Sequence, residues 1–158
     1  MRTLIVYATK YGCTEKCAEK LAGKLEGEVD LRNLRSGRIA DLAPYDRVVI
    51  GGSMYMGKIQ KEVGRFCTEH LGELKEKKLG LFICAMAEGE DAAKELNEAF
   101  PSELASAAAA REVFGGEFVF SKMNFLHKMI VKKIAKTDQD VLKLSEESID
   151  RFARSLQA

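Results

Sequence analysis

The stretch Thr3-Leu4-Ile5-Val6-Tyr7-Ala8-Thr9-Lys10-Tyr11-Gly12-Cys13-Thr14 decides how the chain is read. Its first half is short, apolar and β-branched, as a buried strand requires. Its second half carries hydroxyls, a lysine and one glycine. From about Glu15 the pattern turns helical: Cys17, Ala18, Leu21, Ala22 and Leu25 share one face, and Glu15, Lys16, Glu19, Lys20 and Lys24 lie off it. A polar loop between a buried strand and a helix start is a natural anion site. The first backbone N–H groups of a helix lack intrahelical acceptors, and the helix dipole favours negative charge there.

The rest of the chain repeats the alternation. Residues 28–34 read as a second strand near an edge, and residues 36–44 as a loop or a short helical turn. Asp46-Arg47-Val48-Val49-Ile50-Gly51-Gly52-Ser53 is the clearest strand. It is followed by a loop, Met54-Tyr55-Met56-Gly57, and by a helix over 60–74 with Val63, Phe66, Cys67, His70 and Leu71 on one face. Leu79-Gly80-Leu81-Phe82-Ile83-Cys84-Ala85 is another buried strand, ending in Met86-Ala87-Glu88-Gly89. Helical pieces are expected over 90–99 and 102–110, split by Pro101. A strand is expected over 112–120, and helices over 122–136 and 138–156. Strands alternating with helices predict an α/β fold, a parallel sheet covered on both faces with right-handed crossovers.

With 158 residues, one domain is expected. The balance of 25 basic and 24 acidic side chains argues against a nucleic-acid binder. No apolar run approaches the roughly 18 residues of a membrane span. The N-terminus enters a strand without a signal-peptide layout, so a cytoplasmic protein is expected. Cys13, Cys17, Cys67 and Cys84 lack metal-ligand spacing and read as reduced structural thiols, with Cys13 singled out by its helix-start position. No metal site is expected. His70 and His127 have no partner pattern that suggests catalysis.

Doubly wound sheets bind ligands beyond the carboxyl ends of their strands. The loop after the first strand lacks G-x-G-x-x-G and the Gly-Lys-Ser/Thr ending of a P-loop. It also lacks the paired acids of a phosphoacceptor site, and Gly51-Gly52-Ser53-Met54-Tyr55 fails G-x-S-x-G at its last position. What it has is Thr9 and Thr14 as hydroxyl donors, Gly12 for an anion nest and Lys10 as a compensating charge. A mononucleotide phosphate is the best match.

This loop, T-x-Y-G-x-T, resembles the phosphate loop of flavodoxins. Tyr11 stands where those commonly have a hydroxyl residue, and Cys13 where asparagine is frequent. The resemblance implies a flavodoxin-like, three-layer fold with a five-stranded parallel sheet in the order 2-1-3-4-5. It implies FMN as cofactor, with Thr9, Lys10, Tyr11, Gly12, Cys13 and Thr14 around its phosphate. The ring would lie between two further loops. Ser53, Met54, Tyr55, Met56 and Gly57 offer a wall, with Tyr55 or Met56 against a ring face and Gly57 letting a peptide turn towards the flavin; ordinary loop packing of Met54 and Met56 is the other reading. Ala85, Met86, Ala87, Glu88 and Gly89 would flank the pyrimidine edge mostly through backbone. Glu88, Glu90 and Asp91 either lower the flavin potential or are simply acids at a helix start.

Tyr45-Asp46-Arg47-Val48-Val49-Ile50-Gly51-Gly52-Ser53 and Met129-Ile130-Val131-Lys132-Lys133-Ile134 also look like the flavodoxin-like, quinone-dependent protoporphyrinogen dehydrogenases. The last third departs from that family: it is short and the chain has no tryptophan. Lys122, Lys128, Lys132, Lys133 and Lys136 form a cationic amphipathic pattern. It suits either an anionic surface at the inner face of the membrane, an acidic partner, or plain solvation over the sheet. The favoured reading is an electron carrier between redox partner proteins, without catalytic side chains. The alternatives are a tetrapyrrole dehydrogenase and a flavin-free interaction module.

Overall fold

The computed structural model describes residues 1–39, 41–55, 57–118 and 141–158. The chain runs β1 (Arg2–Tyr7), α1 (Cys13–Ala22), β2 (Glu28–Asn33), β3 (Arg47–Ser53), α2 (Lys61–Glu69), α3 (Leu71–Glu76) and β4 (Lys78–Cys84). It continues through α4 (Gly89–Ala99), α5 (Ser102–Ala107), β5 (Ala110–Val113), β6 (Gly115–Phe118) and β7 (Val141–Leu144) to α6 (Glu146–Gln157). Five strands form one parallel sheet in the order β2-β1-β3-β4-β5, as the resemblance implied.

Strand periodicity sorts the core into two layers. Leu4, Val6, Val48, Ile50, Leu79, Leu81 and Ile83 face one side, where Val63, Phe66, Cys67, Leu74 and Leu104 from α2, α3 and α5 cover them. Ile5, Tyr7, Val49, Phe82 and Cys84 face the other, under Cys17 and Leu21 of α1 and Ile149, Phe152 and Leu156 of α6. On that second side Phe82 stacks on Phe114 with centroids 4.6 Å apart, and Phe152 meets Phe114 edge-on at 5.2 Å. The strand glycines make room for these rings. A Cβ on Gly51 would fall 2.1 Å from Phe82 Cζ, and one on Gly80 2.6 Å from Phe152 Cζ. The strand reading of 46–53 holds as Arg47–Ser53, and its glycines serve packing as well as the strand's end.

Four expectations need correction. The helix over 60–74 breaks at His70, whose backbone (φ −115°, ψ 18°) leaves the helical region while its ring packs on Phe66 and its Nε2 lies 3.1 Å from the Ile39 carbonyl. The alanine-rich piece over 102–110 stops at Ala107, because the Ala109 N–H joins the sheet through the Leu79 carbonyl at 2.7 Å. The strand over 112–120 is two: β5 ends the parallel sheet, and Gly115, with φ +97°, redirects the chain into β6. The segment assigned to the start of the last helix is instead β7, antiparallel to β6. The helix begins only after Ser145, whose Oγ accepts the Ser148 N–H at 3.1 Å, a standard N-cap. The expected helix over 122–136, with Lys122, Lys128, Lys132, Lys133 and Lys136, lies outside the described residues, as does Met56. No described helix is long and apolar enough to cross a membrane.

Candidate phosphate and ring site

In this strand order the chain leaves β1 to one side for β2 and then crosses to the other for β3. The loops following β1 and β3 therefore open a crevice at the carboxyl end of the sheet. The loop after β1 is held by its own side chains. Thr9 Oγ1 accepts the Gly12 N–H at 2.8 Å, and the Gly12 carbonyl accepts the first helical bond from Lys16 at 3.0 Å. Gly12 has φ +101°, a conformation that favours glycine, and open space stands where a Cβ would go. Thr14 is fully buried in the first turn of α1, and its Oγ1 has no hydrogen-bond partner among the described residues. A buried, unpaired hydroxyl is costly and calls for an explanation. An anion seated at the helix start would supply the missing acceptor.

The flanking loops converge on the same place. Thr9, Lys10, Tyr11, Cys13, Ser53, Tyr55, Cys84, Ala85 and Met86 surround a space of only about 30 Å³. Tyr11 and Tyr55 close it, edge to face with centroids 6.2 Å apart, and Lys10 Nζ stands 4.0 Å from the Tyr55 ring centre. Burial first, and then Tyr11, raise the Tyr55 phenol above its ordinary range. Tyr55 and Lys58 exchange backbone hydrogen bonds across a tight turn in which Gly57 is the third residue.

Met54, Ala87, Glu88 and Gly89 do not line that space. Met54 packs its side chain on the α2–α5 core and donates its N–H to the Cys84 carbonyl at 2.8 Å, so only its backbone belongs to the loop. Ala87, Glu88 and Gly89 line an adjoining cavity of about 420 Å³, which shares Ala85, Met86 and Gly116 with that space and is also lined by Gly115, Leu144 and Ser145. Glu88 precedes α4, and Glu90 and Asp91 occupy its first turn, where the helix dipole favours acids.

Two positioning groups escaped the sequence. Gln60 bridges Ser53, accepting its N–H at 3.0 Å and donating to its hydroxyl at 2.7 Å, which fixes the exit of β3. A buried glutamine before a helix carries no motif that would single it out. Gly116 in β6 lets that strand approach the 85–86 loop: a Cβ there would sit 2.8 Å from the Ala85 carbonyl carbon. The Ala85 N–H donates to the Gly115 carbonyl at 2.7 Å.

Below the loop the thiols gather. Cys13, Cys17 and Cys84 are all buried, and their sulfurs lie within 4.8 Å of one another, Cys17 and Cys84 at 3.5 Å. Hydrogen bonds from Cys17 and Cys84 lower Cys13 below the usual thiol range, and the same contacts raise its two neighbours. Cys67 sits on the opposite face of the sheet, where burial alone pushes its thiol up to about 12.

A family model described as a flavodoxin domain matches residues 4–143. No curated protein matches the chain. Among solved structures, a short-chain flavodoxin associated with a non-canonical PDU bacterial microcompartment aligns over 99% of this chain and 97% of its own, with 18% identity and a TM-score of 0.66. A Streptococcus pneumonia TIGR4 flavodoxin aligns over 99% and 96%, with 18% identity and a TM-score of 0.61. A WrbA-like flavodoxin from Agrobacterium tumefaciens aligns over 99% and 95%, with 19% identity and a TM-score of 0.58. These structures share the fold, and the family model covers most of the sequence: the chain belongs to the flavodoxin domain family.

Proposed function

We propose that this protein binds FMN at the carboxyl end of its sheet and carries electrons between redox partner proteins in the cytoplasm. The observation that carries the reading is the Thr14 hydroxyl at the start of α1, buried and without a partner among the described residues, beside a loop already shaped by the Thr9–Gly12 bond. The donor set suits a phosphate: backbone N–H groups of the first helical turn, two threonine hydroxyls and the Lys10 ammonium. The bound flavin would supply the redox chemistry. The chain's own part is to hold and orient it. Tyr55 and Met86 offer walls, and Gln60 keeps the Ser53 end of its loop in place. The space between those walls is about 30 Å³, and it adjoins the cavity of about 420 Å³ through Ala85, Met86 and Gly116.

The test is titration of the purified, flavin-free chain with FMN and with riboflavin, followed by flavin fluorescence. FMN is expected to bind at one equivalent, and riboflavin, which lacks the phosphate, at least about tenfold more weakly. Equal affinity for the two would remove the phosphate from the reading; no binding of either would favour a flavin-free interaction module. The cavity of about 420 Å³ beside Glu88 and Gly89 favours a second reading, an enzyme that oxidises its own substrate, a tetrapyrrole in the dehydrogenase version. Reduction of the bound flavin by such a substrate without a partner protein would select it over the carrier.

A further inference from the structure

We propose that Cys13, Cys17 and Cys84 form a three-thiolate site for a soft, low-coordinate cation, for which Cu(I) is the probe. Three sulfurs around one ion at about 2.3 Å stand roughly 4 Å apart. The three here are already within 4.8 Å of one another, with the closest pair at 3.5 Å, so closure on an ion needs only small side-chain adjustments. The donors are sulfur only. Soft thiolates select Cu(I), whereas structural zinc takes a fourth protein ligand, and the cluster includes no histidine or carboxylate among the described residues. Two of the ligands come from α1 one helical turn apart, the third from the last residue of β4. The site therefore staples the helix to the sheet at the level of the phosphate loop.

Binding is a simple exchange. Each thiol still protonated loses its S–H bond as its sulfur coordinates, the protons pass to solvent, and no electron moves. With Cu(I) the complex carries two net negative charges. Lys16 and Lys20, each three residues beyond a ligand on the same helix, and the amino end of α1 oppose that charge. Access is through the space between Tyr11 and Tyr55, which both Cys13 and Cys84 line. Cys67 is a built-in control: it is equally buried but belongs to the opposite core.

The experiment is an anaerobic titration of the flavin-free chain with Cu(I) against a chromophoric Cu(I) chelator. One equivalent is expected to bind. Affinity should fall by more than about tenfold in Cys17→Ser and in Cys84→Ala and stay unchanged in Cys67→Ala, with folding of each variant checked by circular dichroism. X-ray absorption of the wild-type complex, which needs no variant, should give three sulfur neighbours. Failure of the wild type to compete with the chelator, equal loss in Cys67→Ala, or nitrogen and oxygen neighbours would overturn the site. None of these readouts depends on flavin binding.

Discussion

At the scale of single residues, Thr14 is where the proposed FMN site can be told apart from a purely structural role. Its hydroxyl is buried without a partner among the described residues, so in the flavin-free chain it is a liability. Thr14→Val keeps the shape and removes the orphan. Thermal or denaturant unfolding should then show the flavin-free variant as stable as the wild type or up to about 1 kcal/mol better. FMN affinity should move the other way, weaker by roughly ten- to a hundredfold, since a hydrogen bond to a charged phosphate is worth about 1.5–3 kcal/mol. A variant that loses stability and FMN affinity together would show the hydroxyl to be structural. Thr14 was conspicuous in the sequence because hydroxyl, glycine and helix start lie within six residues. Gln60 was not, because what identifies it is its pair of bonds to Ser53, seven residues earlier across a turn.

At the scale of elements, the strands read well and the helix ends read poorly, for physical reasons. Buried parallel strands are continuous apolar runs, and 46–53 and 79–85 could be little else. The helix over 60–74 kept its apolar face, yet it broke where the His70 ring found Phe66 and the Ile39 carbonyl, contacts that no local pattern contains. The β6–β7 pair was missed because its two strands are far apart in sequence, and Val141-Leu142-Lys143-Leu144 alone fits helix as well as strand. That pair braces the 85–86 loop, which gives a paired prediction. Gly116→Ala would place a Cβ within 3 Å of the Ala85 and Met86 backbone and should destabilise by about 1–3 kcal/mol while weakening FMN binding. Gly64→Ala in α2, where a Cβ meets nothing within 4 Å, should stabilise by about 0.5–1 kcal/mol and leave FMN binding alone. Melting curves and FMN titrations of the two variants check both; an unperturbed site in Gly116→Ala would deny β6 its bracing role.

At the scale of the molecule, alternation of strand and helix was enough to give a parallel sheet, and the loop after β1 motivates the proposed ligand class. Convergence was beyond reach: Cys84 is 67 residues from Cys17, and only the crossover that lays β4 two strands from β1 brings the thiols together. Under the proposed function the same topology would make flavin binding a property of the whole fold, because the loops after β1, β3 and β4 would all have to be in place at once. A ligand that binds only this arrangement stabilises it by mass action. At a free concentration a hundred times its dissociation constant, FMN should add about 2.7 kcal/mol. For a chain of this size that raises the melting temperature by roughly 5–11 °C. Riboflavin at the same concentration, bound at least tenfold more weakly for want of the phosphate, should add no more than about 1.4 kcal/mol. Equal shifts from the two flavins would mean that the crevice grips the ring and that the Thr9-to-Thr14 loop holds nothing.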